Sequence, residues 1–165
     1  MRVVKLGLIS IVGLFLVIFL LSLLIPSKMR VSRAITINSS LDTVIHYLRD
    51  IRQWQRWNGF LKTDGLSNIK SDSLLFLSNE MEVKIVKRDS VGIIQTSWKR
   101  VGQEAISSGF GVTIAENASI VQWYFDFKVK WYPWEKFGSI VFDKELGPLM
   151  ENSLDQLKKM IEKTN

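Results

Sequence analysis

The sequence predicts an α+β domain, a curved antiparallel sheet closed around a long C-terminal helix, carried behind an N-terminal transmembrane helix. Three observations predict it. Leu6–Ile25 contains no charged residue, Ser73–Trp131 breaks into short extended runs, and the stretch from Leu146 onward carries an apolar stripe at helical spacing.

The first element is LGLISIVGLFLVIFLLSLLI. At 1.5 Å rise per residue such a helix spans about 30 Å, the thickness of a bilayer's hydrocarbon core. A helix satisfies its own backbone there, which few other structures can do. A cleaved signal peptide is the competing reading. The run is longer than a usual signal core of about 7–15 residues, and the sequence near Pro26 is a poor small-x-small cleavage site, so an uncleaved anchor is expected. Arg2, Lys5 and the amino terminus nearly balance Lys28, Arg30 and Arg33 on the other flank. The reading adopted is a cytoplasmic short tail with the domain on the non-cytoplasmic side. The division expected is therefore residues 1–30 as anchor and short exit segment, and residues 31–165 as the domain.

Within the domain, Val31–Ile37 is β-branched and alternating, which predicts a strand. Asn38-Ser39-Ser40 supplies a turn and an N-cap. A helix follows whose apolar face is Leu41, Val44, Ile45, Leu48 and Ile51. The stretch DIRQWQRWNGF reads as a second short helix or turn ended by Asn58-Gly59. Met81, Val83 and Ile85 alternate with Glu82 and Lys84. Asp89-Ser90 breaks that pattern, and Val91–Arg100 resumes it. Ala105–Ile114 is a strand with two glycines, which predicts a bulge or a close backbone approach. In Val121–Trp131, Trp123, Phe125, Phe127, Val129 and Trp131 share one face, opposite Gln122, Tyr124, Asp126, Lys128 and Lys130. The last helix carries Leu146, Leu149, Met150, Ser153, Leu154, Leu157 and Ile161 on one stripe. Proline is tolerated in a helix's first turn, so Pro148 predicts a start near Leu146.

Composition narrows the function. The formal charge is +6, and Arg2 and Lys5 account for two of those charges, leaving +4 beyond the apolar run. That is weak attraction for a polyanion. Trp54 and Trp57 stand three apart and share a helical face, whereas Arg52 and Arg56 share a different one. Aromatics therefore turn inward and arginines outward, which argues against nucleic-acid binding. With no cysteine and a single histidine, His46, no metal site or cofactor is expected. Asp126 reads as a solvated cross-strand ion pair rather than a general base. No Ser/His/Asp order and no phosphate-cradling loop is present. No catalytic residue is assigned.

Three stretches resemble a known superfamily. VSRAITINSSLDTVIHYLRD is similar to its opening strand and helix, IRQWQRWNGF to its aspartate-to-tryptophan segment, and GPLMENSLDQLKKMIE to its closing helix. The superfamily is the START-like, helix-grip group, known in bacteria as SRPBCC or polyketide cyclase/dehydrase-like proteins. Ser153-Leu154 stands where the family often has Gly-Leu, and Leu157-Lys158 matches. QWYFDFKVKWYPWEKFGSIVFDKELGP resembles a membrane-anchored bacterial subgroup. The resemblance implies a bacterial inner-membrane location and a cavity between sheet and long helix for lipids or hydrophobic metabolites. Fold transfers more safely than function in such a case.

The expected cavity wall is drawn from the inner faces: Trp57, Phe60, Met81, Val83, Trp98 and Phe110, then Trp123, Phe125, Phe127 and Trp131, with Met150, Ser153 and Leu154 from the last helix. Ser153 and Gly109 are expected to make room. A fully packed core is the competing reading of the same residues. Trp131–Phe137 (WYPWEKF) is either membrane-proximal, as Trp and Tyr favour interfaces, or a loop closing one end of the cavity. The function expected is a membrane-anchored domain binding a hydrophobic or lipid-like ligand. The alternatives are an enzyme of the cyclase or hydrolase type and a non-catalytic interaction module.

Overall fold

The computed structural model describes residues 2–89 and 92–163. Ser90 of the expected break and Val91 of the expected strand start lie outside the described residues, as do Met1, Thr164 and Asn165. Helix α1 spans Arg2–Leu23. Among the described residues it is the one helix long and apolar enough to cross a membrane, with a mean hydropathy of 2.9. Nearly all its side chains face outward; Ser22 is buried and donates its hydroxyl to the Phe19 carbonyl at 2.7 Å.

The strands are β1 (Lys28–Ile37), β2 (Lys70–Ser71), β3 (Leu75–Leu77), β4 (Met81–Arg88), β5 (Ile93–Arg100), β6 (Ile106–Ala115) and β7 (Ala118–Lys128). They form one antiparallel sheet in the order β1-β7-β6-β5-β4-β3-β2. Its first strand begins three residues before the alternating run, because Lys28, Met29 and Arg30 continue the ladder opposite Lys128, Phe127 and Asp126. Of the two readings of the β6 glycines, the bulge is absent and the close approach is present, at Gly109, where a Cβ would meet the Ile94 carbonyl at 2.7 Å. Gly109 and Gly111 keep register with both neighbours, and the described register shift lies in β4, between Ile85 and Lys87.

Between β1 and β2 the chain forms α2 (Leu41–Arg49) and α3 (Ile51–Trp54). Asp50 separates them. Its backbone is extended, and its carboxylate accepts from the Arg52 amide at 3.0 Å, capping the second helix. Asn58 then caps a 3-10 turn at Gly59–Leu61 by accepting from the Phe60 amide, so Asn58-Gly59 opens a turn rather than closing one.

After β7 come α4 (Pro133–Ser139) and α5 (Phe142–Glu162). The last helix starts four residues earlier than Pro148 predicts, and the proline lies inside it. Two tertiary ties explain the extension: the Phe142 ring packs 4.9 Å from that of Phe127, and Asp143 accepts from Arg33. Pro148 sits on the exposed side, where solvent can take the Lys144 carbonyl that lacks its helical donor. The buried stripe Met150, Ser153, Leu154, Leu157 and Ile161 lies against the sheet, closest to β1.

Candidate functional site

The concave face of the sheet is a mass of rings. Trp54 and Trp57 come from the α3 segment, Phe60 from the following turn, Trp98 from β5, Phe110 from β6, and Trp123 and Phe125 from β7. Ring centroids lie 5.2 Å apart for Phe110–Trp123, 5.5 Å for Phe60–Trp123 and 6.1 Å for Trp57–Trp123. Alternation places them: on each strand every second residue points inward. Buried indole N–H groups need partners. Trp54 donates to the Leu48 carbonyl, Trp98 to the Thr96 hydroxyl and Trp123 to the Ser108 hydroxyl, each at 3.0 Å. Trp57, 1% exposed, has an Nε1 without a partner, the exception among these four.

The rings run out to one end of the sheet. Phe125 stacks on Phe127 at 6.2 Å, and Phe127 meets Phe142 of α5 at 4.9 Å. There the face opens into a recess of about 790 Å³. Met29, Ala105, Ile106, Phe127 and Phe142 form its apolar wall, and Lys28, Arg30, Gln103, Glu104, Ser107, Asp126 and Lys128 its polar rim. Arg30 and Asp126 are cross-strand neighbours and pair at 2.6 and 2.7 Å, with the Arg30 guanidinium 4.2 Å above the Tyr124 ring. The hydrogen bond from Arg30 holds the Asp126 carboxyl below its usual range, so at neutral pH it is ionised and engaged rather than free to act as a base. Lys28 and Lys128 also stand directly opposite each other across β1 and β7, and neither forms an ion pair with a described carboxylate.

This fold, a sheet gripping its last helix, has counterparts. Residues 28–162 match the model of a family described as polyketide cyclase / dehydrase and lipid transport. The chain belongs to this family. Solved structures agree on the fold. CalU16 from Micromonospora echinospora is 13% identical, with 81% of this chain and 82% of that one covered at a TM-score of 0.56. A START superfamily protein from Mycobacterium smegmatis is 12% identical, with 82% and 99% covered at 0.58. A conserved protein from Geobacillus kaustophilus is 8% identical, with 82% and 97% covered at 0.62. No protein of curated function matches the sequence.

Within this START-like domain, most of the residues expected to wall a cavity are buried in one packed cluster. Trp57, Phe60, Met81, Val83, Trp98, Phe110, Trp123 and Phe125 are buried on the sheet side, and Met150, Ser153 and Leu154 on the helix side. Phe127 is half-buried and lines the recess. Trp131 is a correction. The strand ends at Lys128, three residues short of the expected end, so Trp131 leaves the inner face, is 63% exposed and lies edge-on to Phe19 of α1. Gly109 makes no room inside either. It pairs with outward-facing Tyr124, and a Cβ there would meet the Tyr124 hydroxyl at 2.6 Å and the Ile94 carbonyl at 2.7 Å. Ser153 is a tie rather than a gap: its hydroxyl accepts from the Gly59 amide at 2.9 Å and donates to the Leu149 carbonyl at 2.7 Å. His46 is exposed beside Tyr47.

Sequence reasoning missed the recess residues Met29, Ile106 and Phe142. A signal was available for each. Met29 continues the inward phase of Val31, Ile106 that of Phe110, and Phe142 the helical stripe of Leu146 and Leu149. It also missed Arg33, which lies on the inward phase of β1 and reaches α5.

Proposed function

We propose that this family member is a membrane-anchored binding domain that takes an apolar ligand with an anionic end into the recess beneath the start of α5. Helix α1 tethers it, and the domain that begins with β1 at Lys28 holds the ligand. Met29, Ile106, Phe127 and Phe142 contact the apolar body, and Lys28 and Lys128 the anionic end. Behind them the inner rings, Trp57, Phe60, Trp98, Phe110, Trp123 and Phe125, form a floor with Met81, Val83, Met150, Ser153 and Leu154.

One observation carries this reading: the recess of about 790 Å³ continues the apolar ring face outward and meets, at its rim, two lysines with no ion-pair partner among the described residues. Ligand sites are concave and mostly apolar with a few convergent polar groups. Like charges opposite each other in a sheet repel by a few tenths of a kcal/mol to about 1 kcal/mol, and an anion between them removes that penalty. Lipid transport in the family's description agrees with such a ligand. The recess also lies close to α1, since Lys28 on its rim is five residues beyond Leu23.

The test uses the full chain in membranes supplied with a photoreactive fatty acid. Irradiation followed by peptide mass spectrometry is expected to find label on the end of β7 and the start of α5. Lys28→Glu with Lys128→Glu lowers that label several-fold. Label confined to α1 and α4, or label indifferent to the lysines, contradicts the proposal.

A further inference from the structure

Helix α4 is inside out. Its buried positions are Pro133, Lys136 and Ser139, while Trp134, Phe137 and the following Ile140 and Val141 face outward. Trp134 is 67% exposed, whereas Lys136, normally a surface residue, is 5% exposed. Both inward polar groups are engaged. The Lys136 ammonium donates to the Ile25 carbonyl at 2.7 Å, and the Ser139 hydroxyl donates to the Lys136 carbonyl at 2.7 Å. The helix therefore places these polar contacts inside and turns Trp134 and Phe137 outward beside Glu135, exposing more apolar surface than a helix that faces water.

The position of this face relative to α1 says what covers it. Lys136 binds just past the C-terminal end of α1, a site that favours a cation. Trp131 lies edge-on to Phe19 with centroids 6.4 Å apart. Phe19 is six residues before Ile25, or about 9 Å back along a helix at 1.5 Å per residue. A ring beside Phe19 is thus within the depth that the apolar run itself defines. Any bilayer that takes α1 to its end must also meet Trp131 and the outer face of α4. Tryptophan rings are enriched at that boundary.

We propose that Trp131, Trp134, Phe137, Ile140 and Val141 form a foot that inserts into the leaflet holding the C-terminal end of α1, seating the domain on the bilayer surface. The foot rests on the reading that α1 spans the membrane. It fixes where the recess lies, because Phe142 on the recess wall follows directly after Val141. The opening sits at headgroup level, and a ligand reaches it from the lipid rather than through water.

The test exploits the tryptophans. Of six, Trp54, Trp57, Trp98 and Trp123 are buried in the domain, leaving Trp131 and Trp134 to report on the exterior. The full chain is reconstituted into phosphatidylcholine/phosphatidylglycerol vesicles with brominated acyl chains. The foot predicts strong quenching of emission by the brominated lipid, lost in the W131F/W134F variant while circular dichroism is unchanged. Quenching of Trp131 and Trp134 by aqueous iodide but not by brominated lipid, in a chain that resists alkaline carbonate extraction, overturns the foot and leaves the anchor standing. Protection from both quenchers together with cross-linking to a doubled mass assigns the face to a second copy and also overturns it. Release of the chain by carbonate overturns the anchor, and the foot with it.

Discussion

The Arg33 guanidinium occupies the space directly beneath Gly147 that a Cβ would need, and from there it donates to Asp143 and Glu151. A concave-face arginine thus pins both ends of the first half of α5 to β1, and the helix can pass over it because position 147 has no side chain. The hydrogen bonds Arg33 donates to Asp143 and then to Glu151 raise its pKa further above its already high value, so the charge is permanent. Gly147→Ala must displace the guanidinium from its place between its two partners, although alanine is the better helix former. Both Gly147→Ala and Arg33→Ala are expected to lower stability. The double variant loses less than the two single losses combined, because each removes the same contacts. Denaturant unfolding of the four proteins reads the coupling directly, and simple additivity contradicts it.

The Ser153 hydroxyl joins α5 to the turn after the tryptophans. Ser153→Ala leaves the Gly59 amide without its acceptor and is expected to cost about 1–3 kcal/mol in unfolding free energy. Ser153→Gly costs about 1 kcal/mol more through helix propensity. A loss below the error of the measurement for Ser153→Ala shows the tie to be unimportant.

The indoles are separable by their partners. Trp57→Phe and Trp123→Phe each remove comparable ring volume from one cluster, but only Trp123 gives up a hydrogen bond. Trp57→Phe is therefore expected to be the milder change by about 1 kcal/mol. Trp123→Ala, which empties the centre of the cluster, is expected to cost about 3–5 kcal/mol. Equal losses for the two phenylalanine variants contradict the assignment of Trp57 as the unpartnered donor.

Acid should loosen the fold through three carboxylates. Hydrogen bonds from Arg52, Arg30 and Arg33 hold Asp50, Asp126 and Asp143 below the ordinary 3.8. A folded-state pKa below the unfolded one adds stability that is complete above the unfolded value and is lost as pH falls through the folded value. Thermal stability is expected to stay level from neutral pH to roughly pH 5 and to fall below about pH 4. Asp126→Asn removes part of that acid limb. An acid limb unchanged in this variant assigns the effect elsewhere.

Periodicity made much of this architecture legible. The inward phase of β7 and the stripe on α5 identify the two halves of the core, since burial on one face imposes a period of two or 3.6. Three features were not legible for physical reasons. Pro148 marks a helix start by local sterics, yet Phe142 and Asp143 find tertiary partners on β7 and β1 that draw the helix four residues longer. Trp131 fits the strand alternation, but alternation cannot register that the ladder ends at Lys128. Arg33 reads as a charge flanking the membrane, because no local pattern reveals acidic partners 110 and 118 residues away. The recess escaped notice for a related reason: its lining joins three short stretches, residues 28–30, 103–107 and 126–128, to Phe142 of α5, and they are far apart in sequence.

The most direct test of the account is native mass spectrometry of the full chain released gently from its own membranes. Binding in the recess predicts one anionic amphiphile bound per chain, retained by Trp57→Phe and lost when Lys28→Glu and Lys128→Glu are combined. A chain that leaves the membrane bare, or that keeps the same adduct without the two lysines, contradicts it.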